Sequence, residues 1–85
     1  MKIVRVAGTA TATVKAKGLA GQKLLVVDVQ DAAGKLLQTA VVAVDTVGAG
    51  QGDLCLMVEG SAARIPTGGL PVDAALIAVL DRVSV

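Results

Sequence analysis

Not one of the 85 residues is aromatic, yet 54% of them are hydrophobic. The core of such a chain must be filled by Val, Leu, Ile and Ala, which supply little area per residue. A single domain, residues 1–85, is near the lower limit at which a core supports itself without disulfides, metal or partners. So small an interior cannot hide so much apolar surface, and part of that surface is expected at a subunit interface.

Charge excludes several classes of partner. Eight Lys and Arg stand against seven Asp and Glu, with the signs interspersed. No basic block neutralises a phosphate backbone, and no aromatic ring stacks on a base. The longest uninterrupted apolar run, 74–80, is far short of a membrane-spanning helix, and a membrane barrel would carry aromatic girdles. Lys2 leads straight into a strand pattern, so no secretory signal is expected, and the single cysteine, Cys55, cannot form an internal disulfide. A soluble cytoplasmic protein, bound to neither nucleic acid nor membrane, is the expectation.

Residues 2–14 alternate, with Val4, Val6, Gly8, Ala10, Ala12 and Val14 on one face, as in a strand that bends at Gly8. Residues 15–22 read as a loop. Residues 23–29 and 36–44 are further strands, joined through 31–34 with Gly34 at a positive φ. Both runs are apolar on each face, the pattern of strands covered on both sides. A chain this short cannot wrap itself twice, so the second cover is expected from a neighbouring subunit. Residues 54–59 form the fourth strand. Ser61 is the expected N-cap of one helical turn through Ala62 and Ala63, with Arg64 at its C-terminal end. Beyond Pro71 the pattern alone leaves helix and strand open.

Three glycines in five residues, Gly48-Ala49-Gly50-Gln51-Gly52, separate two of the apolar runs. As a phosphate cradle the segment fails on spacing: only Gln51 lies between the second and third glycines, and no Gly-Lys-Ser/Thr follows. A tight turn needing positive φ accounts for it, with Asp45 and Asp53 bonding its amides. Chemistry is poorly supplied. The chain has no histidine, no metal-ligand spacing and no base near Cys55, which reads as inert packing in a strand. No cofactor, metal or catalytic residue is expected, and the chain does not read as an enzyme.

The segments Asp45-Thr46-Val47-Gly48-Ala49-Gly50-Gln51-Gly52-Asp53, Gly60-Ser61-Ala62-Ala63-Arg64 and Pro71-Val72-Asp73-Ala74-Ala75 occur in this order. Together with Arg5-Val6-Ala7-Gly8 and residues 19–25, they give a chain that resembles the vertex proteins of bacterial microcompartment shells, such as those of carboxysomes and ethanolamine compartments. The resemblance covers nearly the whole chain. It departs from the family at Ala62, where a second serine is common, and at Asp28-Val29-Gln30, where Gln-Pro often follows the strand.

The resemblance implies an all-β fold, a five-stranded OB-like barrel with one short helix, assembled as a cyclic homopentamer. It favours a turn at 73–75 followed by a strand to residue 83. It implies a structural role in a microcompartment shell, capping vertices between hexameric shell proteins. In that role Gly48, Ala49, Gly50 and Gln51 from five copies converge on the axis; Asp45, Asp53, Ser61 and Arg64 read, from the residues themselves, either as local caps or as interface residues. The alternative is a small OB-like nucleic-acid-binding module, against which the lack of aromatics and of a basic stripe weighs.

Overall fold

The computed structural model describes residues 1–85. Five strands, β1 (Lys2–Ala10), β2 (Leu24–Gln30), β3 (Leu36–Asp45), β4 (Leu54–Glu59) and β5 (Ala74–Val79), close into a barrel in the order β1-β2-β3-β5-β4. All pairs are antiparallel except β3 with β5, which run parallel at Val44–Ala75 and Asp45–Leu76. A parallel pair needs a crossover, and β4 with the segment after it makes that connection.

Aliphatic alternation fills the barrel. Val4 and Val6 from β1, Leu25, Val27 and Val29 from β2, Cys55 and Met57 from β4, and Leu76 from β5 are buried in one cluster. With no aromatic ring available, small residues complete it: Ala43, Ala74 and Ala49, the last contributed by the glycine loop. Val58, Ala63 and Ala75 form a second, smaller cluster under the turn that follows β4.

The expected bend in β1 is present. Between Val6 and Gly8 the register against β2 slips by one residue, leaving Ala7 as the bulge. The strand then stops at Ala10 rather than continuing to residue 14, and Val14 is 93% exposed. Alternation persists in residues 11–14, but no strand lies alongside to take up their hydrogen bonds. The β2–β3 hairpin closes as expected, with Gly34 at φ +91° and the Asp31 carboxylate accepting from the amides of Ala33 and Lys35.

A 3-10 turn lies at Lys17–Leu19, and the helical turn expected between the fourth and fifth strands forms as a second 3-10 turn, Gly60–Arg64. Two local details are corrected. The second turn begins at Gly60 after Glu59, so Ser61 lies inside it, and no side chain caps it. The final strand starts directly at Ala74 and ends at Val79, because pairing with β4 runs from Glu59–Ala74 to Cys55–Val79 and leaves no room for a turn at 73–75.

Candidate functional site: the glycine loop and the outer barrel faces

The loop between β3 and β4 is held at both ends by carboxylates. Asp45 Oδ1 accepts from the amides of Val47 (3.0 Å) and Gly48 (3.1 Å), and Asp53 Oδ2 accepts from the amide of Gly50 (2.8 Å). Burial alone would raise the Asp45 pKa, but backbone amides of the loop, that of Val47 foremost, together with the Lys23 ammonium hold it below the ordinary value of 3.8. The loop is also sewn to β1: Gly52 donates to the Val6 carbonyl (2.8 Å), Val6 donates to the Asp53 carbonyl (2.9 Å), and Arg5 donates to the Gly52 carbonyl (2.9 Å). Thr46 Oγ1 donates to the Leu76 carbonyl (2.6 Å), fixing the loop to β5. This is a rigid strand-to-strand connection.

Its positive φ angles fall at Gly48 (+78°) and Gly52 (+87°), not at Gly50. A side chain at Gly50 would meet only the Asp53 carboxylate, at an ordinary 3.8 Å. Ala49 corrects a further expectation. Its methyl is fully buried in the barrel core and faces no opening. Within the glycine run Gly48–Gly52 all residues but Ala49 are exposed, and Gln51 carries the one exposed side chain beyond Cβ there. The sequence pattern gives period and turn but not which way a loop alanine points, so this inward turn was not readable from it.

Arg64 is exposed and makes no ion pair; the salt bridges of the chain are Lys2–Glu59 and Lys23–Asp45. Ser61 is exposed and makes no side-chain hydrogen bond. Cys55 is buried in β4, and burial, with the negative charges of Asp53 and Asp45, pushes its thiol pKa up and away from reactivity. No three of His, Cys, Asp and Glu converge as a metal site. The larger recess, about 310 Å³, is lined by Thr9, Thr11, Lys15, Gln22 and Lys23 with small apolar neighbours, and no carboxylate, thiol or imidazole enters it. No helix is long and apolar enough to cross a membrane.

What the surface does carry is aliphatic side chains. Leu36, Leu37, Val42, Val47 and Val79 are exposed, and a groove of about 170 Å³ between β2, β3 and the segment around Pro71 is lined mainly by Leu19, Leu24, Val42, Val44 and Val72. The double apolarity of the second and third strands therefore reflects a filled inner face and an outer face only partly covered within one chain. Chemistry is sparse here and apolar surface abundant, as in a subunit built to assemble.

Comparison with known proteins agrees. Residues 1–81 match the family described as ethanolamine utilisation protein EutN/carboxysome. The chain is 48% identical to the carboxysome shell vertex protein CcmL of Thermosynechococcus vestitus, over 99% of its own length and 87% of that protein's. It is 41% identical to the microcompartment shell vertex protein EutN of Salmonella typhimurium, over 98% and 86%. Its barrel superposes on the pentameric microcompartment shell protein GrpN of Rhodospirillum rubrum with a TM-score of 0.91 at 36% identity, covering all of both chains. The chain belongs to the EutN/CcmL family of microcompartment shell vertex proteins.

Proposed function

We propose that five copies of this chain form a closed ring that occupies a pentagonal vertex of a microcompartment shell, between hexameric shell proteins. The observation that carries this is the match of the whole barrel to a pentameric shell protein, in a chain whose outer faces remain apolar. The mechanism is geometric. A sheet of six-fold units stays flat, and a five-fold unit supplies the missing curvature that lets the shell close.

A cyclic ring needs a head-to-tail contact, in which each subunit offers one patch to one neighbour and a different patch to the other. A contact of standard size, about 800 Å² per partner, gives a gross hydrophobic term of roughly 20 kcal/mol before the costs of association. In this ring the glycine loops surround the axis. Gly48 and Gly50 present backbone and Gln51 a neutral side chain, so any opening is narrow and lined mainly by backbone. Ser61 and Arg64, exposed and unpaired within one chain, are available to a neighbour. The protein's role is structural and requires no cofactor.

Sedimentation at micromolar concentration tests the reading. Five 8.4-kDa chains are expected; a single chain would end the vertex assignment, and six would move the protein to a facet. Closure of shells by hexameric shell proteins only when this chain is added would establish the role itself.

A further inference from the structure

Strand register separates the outer surface of the barrel into two apolar faces. On the first, Val26 lies opposite Val42 and Leu24 opposite Val44, while their neighbours Leu25, Val27 and Ala43 point into the core. Gly8 and Ala10 of β1 extend these rows with almost no side chain. The segments around Gly18 and Pro71 pack tightly together, the Pro71 ring lying only 2.9 Å from where a Gly18 Cβ would be. They wall the groove in which Val42 stands 47% exposed. This face is concave.

The second face lies elsewhere on the barrel. Ile3 of β1 is opposite Leu56 of β4, and Leu56 is opposite Ala78 of β5. Their neighbours Val4 and Cys55 are fully buried inside, so this row of three points outward, and each of the three is partly exposed. Leu54, opposite Arg5, adds to it. As the bare exterior of three barrel strands, this face is convex. In the closed order β1-β2-β3-β5-β4, strand β4 is half a turn away from the β2–β3 seam.

We infer that these two faces are the two halves of the ring contact: the groove beside Val42 of one copy receives the Ile3–Leu56–Ala78 row of the next. The inference rests on the five-copy reading above and assigns its surfaces. Three features name a second copy as the occupant. A head-to-tail ring requires two unlike patches on different sides of one subunit, and the barrel has one concave and one convex. Asp73 in the groove wall and Arg5 beside Leu54 both lack an ionic partner within the chain, and docking gives each a neighbour of opposite sign. Finally, two contacts of about 800 Å² on each subunit would cover roughly a third of its 5,086 Å² surface, which accommodates the aliphatic excess that one chain leaves uncovered.

Val42→Glu and Leu56→Glu, made singly, test the assignment, with circular dichroism and cooperative unfolding to establish that each barrel is folded. Each variant alone is expected to sediment as a single chain where the wild type forms five. Mixed in equal amounts they are expected to form a two-chain species and nothing larger, because each retains the face the other has lost. A five-copy Leu56→Glu ring, or folded variants that ignore each other when mixed, would overturn the pairing of faces. A second measurement covers the case in which a charged variant does not fold. In the Val42→Cys, Ala78→Cys double variant, a flexible thiol crosslinker should give a ladder reaching five chains; an intact ring giving no ladder would also overturn the pairing. A wild type that is not five copies would instead sink the vertex reading itself, so the two failures are distinguishable.

Discussion

Lys23 Nζ lies 3.3 Å from Asp45 Oδ2 and 2.6 Å from the Ala49 carbonyl oxygen, so one ammonium ties the end of β3 to the glycine loop. The two partners are unequal: the Asp45 side chain is 2% exposed and that of Lys23 50%. The exposed lysine leaves the ion pair itself worth little. The buried carboxylate matters more, since two loop amides depend on it.

Asp45→Asn is expected to cost about 1–3 kcal/mol at neutral pH, the range for weakening charge-assisted bonds to a buried acceptor. The folded pKa lies below the unfolded one, so this stabilisation is fully present above the unfolded value and lost as pH falls through the folded one. Urea midpoints of wild type and variant should therefore converge below about pH 4. A gap that stays constant down to pH 3 would show that the charge on Asp45 contributes nothing.

Cys55 should react with a thiol reagent only when the barrel opens, because it is fully buried and its thiol is held protonated. Cys55→Val keeps an apolar side chain and is expected to cost under about 1.5 kcal/mol. Cys55→Ser buries a hydroxyl among Val4, Met57 and their neighbours and is expected to cost about 1–3 kcal/mol. Fast labelling of the native protein, or a serine variant as stable as the valine one, would contradict the packing described.

Ala40 is the only non-glycine residue with a positive φ, +58°. It sits where the β2–β3 register slips between Val27–Val41 and Val29–Gln38, and its amide donates to the Asp28 carboxylate at 3.2 Å. The left-handed backbone costs an alanine about 1–2 kcal/mol, offset in part by the greater unfolded-state freedom of glycine. Ala40→Gly should therefore raise stability by about 0.5–1 kcal/mol in chemical denaturation. A loss of stability would mean that the methyl makes contacts worth more than the strain.

The first four strands are legible because their determinants are local, whereas the pattern of the fifth leaves helix and strand open and its reading rests on the family resemblance. Alternation in β1, the turn at Gly34, and the limits of 54–59 each follow from a few adjacent residues. What escaped depends on residues far apart in sequence. Nothing near Ala40 marks a bulge, since the carboxylate that supports it belongs to Asp28 on another strand. Ala62 and Ala63 mark a helical turn but do not say that it closes as a 3-10 turn. The loop illustrates both sides. Asp45 and Asp53 bond its amides as their positions imply, whereas the inward turn of Ala49 is set by space left in a core without aromatic rings.

That inward turn decides how the axis must be tested. Ala49→Asp would bury a charge and cost several kcal/mol of barrel stability at any salt concentration, wherever the loop lies in a ring. Gln51 is exposed and free of such a penalty. If five glycine loops surround the axis, Gln51→Glu places five like charges around it without disturbing the fold. At low ionic strength these repel across the opening, so the ring should dissociate more readily in dilute buffer. Moderate salt, with a screening length of about 8–10 Å, should restore it. The measurement is sedimentation of wild type and variant at two salt concentrations, with unfolding midpoints to show that the barrel is equally stable in both. A variant ring indifferent to ionic strength would place the loop away from the axis, while leaving the five-copy assembly and the pairing of its apolar faces intact.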